Sequence, residues 1–90
     1  MNRMEIVRQE ILDQLYGYIG QPRTAEQIHK LARLQGSLPD ITVEEINRQA
    51  QSLMTLGYVE VDGEDNPTPG IKRYVLTKLG MTYLEQKGMV

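Results

Sequence analysis

Ninety residues with no cysteine leave room for one hydrophobic core and exclude a disulfide framework, thiolate metal sites and thiol catalysis. Hydrophobic residues at 40% and charged residues at 24% exclude a wholly disordered tail or a fibrous repeat, and a net charge of −2, ten Lys plus Arg against twelve Asp plus Glu, means that no global positive field advertises nucleic acid. No apolar run approaches the roughly 20 residues of a membrane span, and the amphipathic, acidic residues 1–20 are unlike a signal or transit peptide; the expectation is one domain over 1–90 in the cytoplasm.

Met4, Val7, Ile11, Leu15 and Ile19 recur at three or four positions and predict a first helix with one inward stripe. Gly17 and Gly20 raise its backbone cost, and Pro22 disfavours an α conformation before it. Thr24 stands three residues before Gln27, a capping-box spacing in which hydroxyl and amide satisfy opposite orphan donors. With Ile28, Leu31 and Ala32 behind it, this predicts a second helix over 25–35, stopped by Gly36, and a linker over 37–41. Thr42 and Glu45 repeat the capping box, and Val43, Ile46, Ala50, Leu53 and Met54 make an inward stripe for a third helix over 43–56.

At Gly57 the pattern changes to Tyr58, Val59, Glu60, Val61, an alternation that suits a half-buried strand. A loop over 62–70 carries Gly63, Asn66, Pro67, Pro69 and Gly70. Residues 71–76 read as a returning strand with Lys72, Tyr74 and Leu76 on one face and Arg73 and Val75 on the other, so 58–76 is expected to close as a hairpin. Thr77 caps a last helix with Leu79, Tyr83 and Leu84 turned inward and Gly88 past its end. The order of elements predicts an α+β fold whose second and third helices form a helix-turn-helix.

Four segments carry a family likeness: Arg23-Thr24-Ala25-Glu26-Gln27-Ile28, Thr42-Val43-Glu44-Glu45-Ile46, Leu53-Met54-Thr55-Leu56-Gly57-Tyr58-Val59 and Tyr74-Val75-Leu76-Thr77-Lys78-Leu79-Gly80. Together, over nearly the whole chain, they resemble the winged helix-turn-helix domain of bacterial or phage transcriptional regulators, and they mark the fold without marking a subfamily. The resemblance implies a three-helix core with a two-stranded β-hairpin wing and a C-terminal helix, in which the third helix enters the major groove and the wing reaches an adjacent groove or the backbone.

With Ile46, Ala50 and Leu53 inward and about 100° per residue, the opposite side of the third helix shows Glu44, Arg48, Gln51, Ser52 and Thr55, with Asn47 on its flank. On the family's pattern Asn47, Arg48, Gln51 and Ser52 face base edges, Arg48 reading guanine and Asn47 or Gln51 adenine. Arg23, Thr42, Lys72 and Arg73 face phosphates. The same polar side is also what any solvated helix presents. Residues 21–56 balance Arg23, Lys30, Arg33 and Arg48 against Glu26, Asp40, Glu44 and Glu45. Glu44 and Glu45 suit the helix dipole yet occupy the end a phosphate would approach, and Asp62, Glu64 and Asp65 put negative charge on the wing tip.

Two functions therefore stand beside each other: a sequence-specific DNA-binding regulator, and a protein-interaction adaptor or assembly component that meets its partner through the acidic wing and neutral third helix. Enzyme activity is not expected, because Ser37 and Ser52 sit in no nucleophile motif and His29 is the sole imidazole. No metal or other cofactor is expected, since His29 has no second imidazole or thiolate and the acidic loop lacks calcium-loop spacing. A small-ligand sensor would need a pocket that a chain this size offers only at a dimer interface. A homodimer through the first and last helices is expected from Met81, Met89 and Val90, with Tyr16 and Tyr18 in that contact or in the core. Met4 and Met54 are expected in the core.

Overall fold

Local chemistry determines where each helix begins and ends in the computed structural model, which describes residues 2–18, 20–36, 38, 40–62 and 72–87. Helix α1, Arg3–Gly17, opens on Asn2, whose side chain accepts from the Glu5 amide. A short strand β1, Arg23–Thr24, leads directly into α2, Ala25–Gln35, and Thr24 and Gln27 form the expected reciprocal capping box. Gly36 ends α2 with φ +72°, a left-handed conformation that costs glycine no Cβ clash. Helix α3, Val43–Thr55, opens on the second capping box, Thr42 with Glu45. Its end is a Schellman turn: Gly57, at φ +85°, donates to the Met54 carbonyl and Tyr58 donates to that of Leu53.

The reversal at Gly57 starts strand β2, Val59–Val61, which pairs antiparallel with β3, Arg73–Leu76. Thr77 then caps α4, Lys78–Gln86. Its hydroxyl accepts from the Gly80 amide at 3.0 Å and donates to the Gly57 carbonyl at 2.6 Å, so one side chain fastens the end of the hairpin to the end of α3. The sequence did not signal β1, which pairs antiparallel with β3 and completes a three-stranded sheet of order β1-β3-β2. A strand of two residues has no alternation to read, and it exists because β3 offers an edge beside the approach to α2. The architecture is α+β, four helices and a three-stranded antiparallel sheet among the described residues.

The core joins Val7, Ile11 and Leu15 of α1, Ile28 and Ala32 of α2, Ile46, Ala50 and Leu53 of α3, Val59 and Tyr74 of the sheet, and Leu84 of α4. Fully burying each large aliphatic member contributes about 1.5–3 kcal/mol. Two expected core positions lie outside. Met4 is 51% exposed, because residues 2–6 are all exposed and the first turn of α1 projects beyond the packed stripe. Leu79 is 53% exposed; the inward line of α4 runs through Gly80 and Leu84 instead. Gly80 lies against the Tyr58 carbonyl and the Leu76 side chain, a clearance that no side chain could share. Met54 packs against the core as expected, as do Tyr16 and Tyr83. The expectations for Ile19, the tip of the 62–70 loop, Ile71, Gly88, Met89 and Val90 fall outside the described residues. No helix among the described residues is long and apolar enough to cross a membrane.

Candidate functional site

The outward side of α3 presents Glu44, Asn47, Arg48, Gln51 and Thr55 to solvent, with Ser52 half-buried, while Ile46, Gln49, Ala50 and Leu53 face inward. Arg48 and Gln51 have side chains that pair with no described residue, and Glu44, one turn before Arg48, forms no ion pair with it. Asn47 differs from these neighbours: the Tyr74 hydroxyl donates to its Oδ1 at 2.8 Å.

The amino-terminal end of α3 is closed by contacts from two other segments. Thr42 is spent on the cap, its hydroxyl accepting from the Glu45 amide at 3.1 Å. The Glu45 carboxylate in turn meets the Arg3 guanidinium at 2.6 and 2.9 Å, and Arg3 also reaches Asp40 at 3.1 Å. The hydrogen bonds from Arg3 hold the Glu45 carboxyl below its usual range. Part of the negative charge at this helix end is therefore compensated by a residue at the start of α1, and the Thr42 oxygen is already committed within the protein.

The sheet gathers three of the cations named from the sequence. Pairing of Arg23 with Tyr74 and of Thr24 with Arg73 brings Arg23 beside the Lys72-Arg73 step, where β3 begins opposite Thr24, the last residue of β1. Cross-strand partners point to the same face, so Arg23 shares the inward side with Tyr74 and Arg73 the outward side with Thr24. Consistent with that register, the Arg23 guanidinium stacks over the Tyr18 ring at 4.1 Å and its Nε is buried without a hydrogen-bond partner among the described residues. Lys72 is exposed and Arg73 half-exposed, and neither forms an ion pair with a described residue.

His29 is half-buried on α2. Its Nε2 lies 2.9 Å from the Ile41 carbonyl, and because a carbonyl can only accept, that nitrogen carries the proton. The histidine thus ties α2 to the linker before α3. Among the described residues no three His, Asp or Glu side chains gather as a metal site. A groove of about 320 Å³ lies between α1, the end of α3 and α4; Leu12, Leu53 and Leu56 form its apolar wall, and stacked Tyr58 and Tyr83, with ring centroids 4.5 Å apart, its aromatic one. Lys87 closes one end, donating to the Tyr83 hydroxyl at 3.1 Å.

Two residues at this site were not among those named from the sequence. Arg3 gave no signal, because its partners lie 37 and 42 residues away. Tyr74 did carry one: a tyrosine on the inward face of a strand must find a partner for its hydroxyl, and the outward flank of α3 supplies it. Comparison of the chain with protein families, with curated proteins and with solved structures finds no match.

Proposed function

We propose that this chain is a winged-helix, sequence-specific DNA-binding protein, a transcriptional regulator without chemistry of its own, with α3 as the major-groove helix and the β2-β3 hairpin as the wing. The observation that carries the reading is the outward side of α3, where Arg48 and Gln51 stand exposed with side chains that pair with no described residue, held by a helix packed on its other side through Ile46, Ala50 and Leu53. Unpaired donors on a rigid helix are what major-groove reading needs, because each base edge offers a fixed pattern of donors and acceptors. Arg48, Asn47, Gln51 and Ser52 take the base edges; Lys72 and Arg73 take phosphates, while Arg23, expected there from the sequence, is turned inward onto Tyr18. A second copy docks through α1 and α4, where Met4, Ile6 and Leu79 leave apolar surface exposed. Titration of a labelled mixed-sequence duplex at low salt tests the reading. Binding that weakens steeply with added salt supports it, and no binding at micromolar protein overturns it.

The adaptor reading has its own support. Arg3, the cation nearest the start of α3, is consumed by Asp40 and Glu45, and the 21–56 segment carries as many acidic as basic residues. On that reading the groove between α1 and α4 receives a protein partner, and the duplex titration gives no binding.

A further inference from the structure

Tyr74 spans the molecule from the sheet to the outward flank of α3. It sits in the middle strand with Arg23 opposite on one side and Val61 on the other, and it is 0% exposed. Its hydroxyl nevertheless emerges beside the exposed Asn47 and donates to Oδ1 at 2.8 Å. A carboxamide can turn over, exchanging its acceptor oxygen for its two N–H donors. Here the turn is opposed: a reversed amide could still donate to the phenol oxygen, but the hydroxyl proton, which has no other acceptor among the described residues, would be left unpaired at a partly buried position. Burial, and secondly the charge of Glu26, push the phenol above its usual range, so it remains a donor throughout neutral pH.

We infer that Tyr74 is a positioning residue for base recognition: by holding the Asn47 oxygen toward the protein it turns the amide NH2 outward, so that this position selects base edges offering acceptors. The inference rests on the DNA-binding reading of α3. Guanine O6 and N7, adenine N7 and thymine O4 are acceptors in the major groove, whereas cytosine presents only its N4 donor. Asn47 and Arg48 then form a contiguous donor surface suited to guanine, and the paired contact with adenine that a freely turning asparagine makes falls to Gln51.

Selection from a pool of randomised duplexes, run with the wild type, Tyr74→Phe, Asn47→Ala and the double variant, tests the division of roles. The wild type is expected to favour guanine or thymine over cytosine at one position by about fivefold or more. Tyr74→Phe, which keeps the ring that fills the core, reduces that preference to about twofold or less while the salt dependence of binding stays unchanged. Asn47→Ala removes the preference, and adding Tyr74→Phe to it changes nothing further. Asn47→Asp, at an exposed position, retains an acceptor for Tyr74 and turns the preference toward cytosine, which keeps the test decisive should Tyr74→Phe fold poorly. In the free protein the Asn47 side-chain NH2 resonances shift in Tyr74→Phe. An unchanged base preference in Tyr74→Phe, or further loss of preference in the double variant, overturns the inference and leaves the DNA-binding reading standing. A wild type that binds no duplex removes both.

Discussion

Arg3 and Glu45 stand 42 residues apart in sequence, and the Arg3 guanidinium nonetheless meets the Glu45 carboxylate through two nitrogens at 2.6 and 2.9 Å. Glu45 is also the third residue of α3 and the acidic half of its capping box. One carboxylate therefore caps the helix and fastens the start of α1 to it, which couples α3 to α1.

That coupling has a pH signature. Arg3 lowers the Glu45 pKa in the folded state below its ordinary 4.5, so the pair's contribution is present above that value and is lost as pH falls through the lowered folded one. Asp13 acts in the opposite sense: burial raises its pKa above 3.8, and its protonation in acid restores stability. Subtracting the thermal midpoints of Arg3→Ala from those of the wild type cancels the Asp13 contribution. The difference is expected to favour the wild type at neutral pH and to shrink steadily below about pH 4.5. A difference that stays constant from neutral to acid pH would remove Glu45 as the linked group.

Arg48 and Lys72 are both exposed and form no ion pair among the described residues, yet their proposed roles differ. Arg48→Ala should relax base preference at one position, at a cost of about 1–3 kcal/mol on the preferred duplex and little on others. Lys72→Ala should weaken binding to every duplex and lower the salt slope by about one unit. Binding isotherms on preferred and mixed-sequence duplexes over a salt series check both. Equal losses on all duplexes for both variants would end the division of labour.

Two glycines at helix ends should respond oppositely to alanine. A Cβ at Gly80 would come closer to the Tyr58 carbonyl oxygen than packed atoms allow and would meet Leu76 Cδ1 at 2.7 Å; Gly80→Ala is expected to destabilise by about 2–3 kcal/mol through strain where α4 meets Tyr58 and the end of β3. Gly17, the last residue of α1, has nothing within 4 Å of that position. Gly17→Ala should stabilise by about 0.4–1 kcal/mol, chiefly by narrowing the unfolded ensemble. Urea denaturation with an unchanged slope checks each value.

The apolar surface of α4 bears on self-association. Leu79 is 53% exposed, on a helix where Leu84 is buried and Met81 and Tyr83 are half-buried. If α1 and α4 form a homodimer interface, Leu79→Lys shifts sedimentation at micromolar concentration toward the monomer by about tenfold in dissociation constant without moving the circular dichroism spectrum. Identical sedimentation of wild type and variant would place the interface elsewhere or exclude a dimer.

The helices and their limits were legible residue by residue because the signals are local. The Thr24-Gln27 and Thr42-Glu45 boxes each satisfy donors within one turn, and Gly36 and Gly57 supply left-handed conformations at the stops. The hairpin was legible from the Tyr58 to Val61 alternation and from Tyr74, whose inward face the structure bears out. The polar side of α3 could likewise be named from periodicity, since Ile46, Ala50 and Leu53 leave only one direction for Asn47, Arg48 and Gln51.

What tertiary structure alone decided has one common cause, that the partner lies far along the chain. Strand β1 exists only against β3, and it turns Arg23 inward onto Tyr18. The clearance at Gly80 sends Leu79 to the surface, and the reach of Arg3 to Glu45 and of Tyr74 to Asn47 determines the charge and donor pattern around α3. Periodicity tells which way a side chain points from its own helix. What waits there is determined by packing between elements that the chain brings together only when it folds.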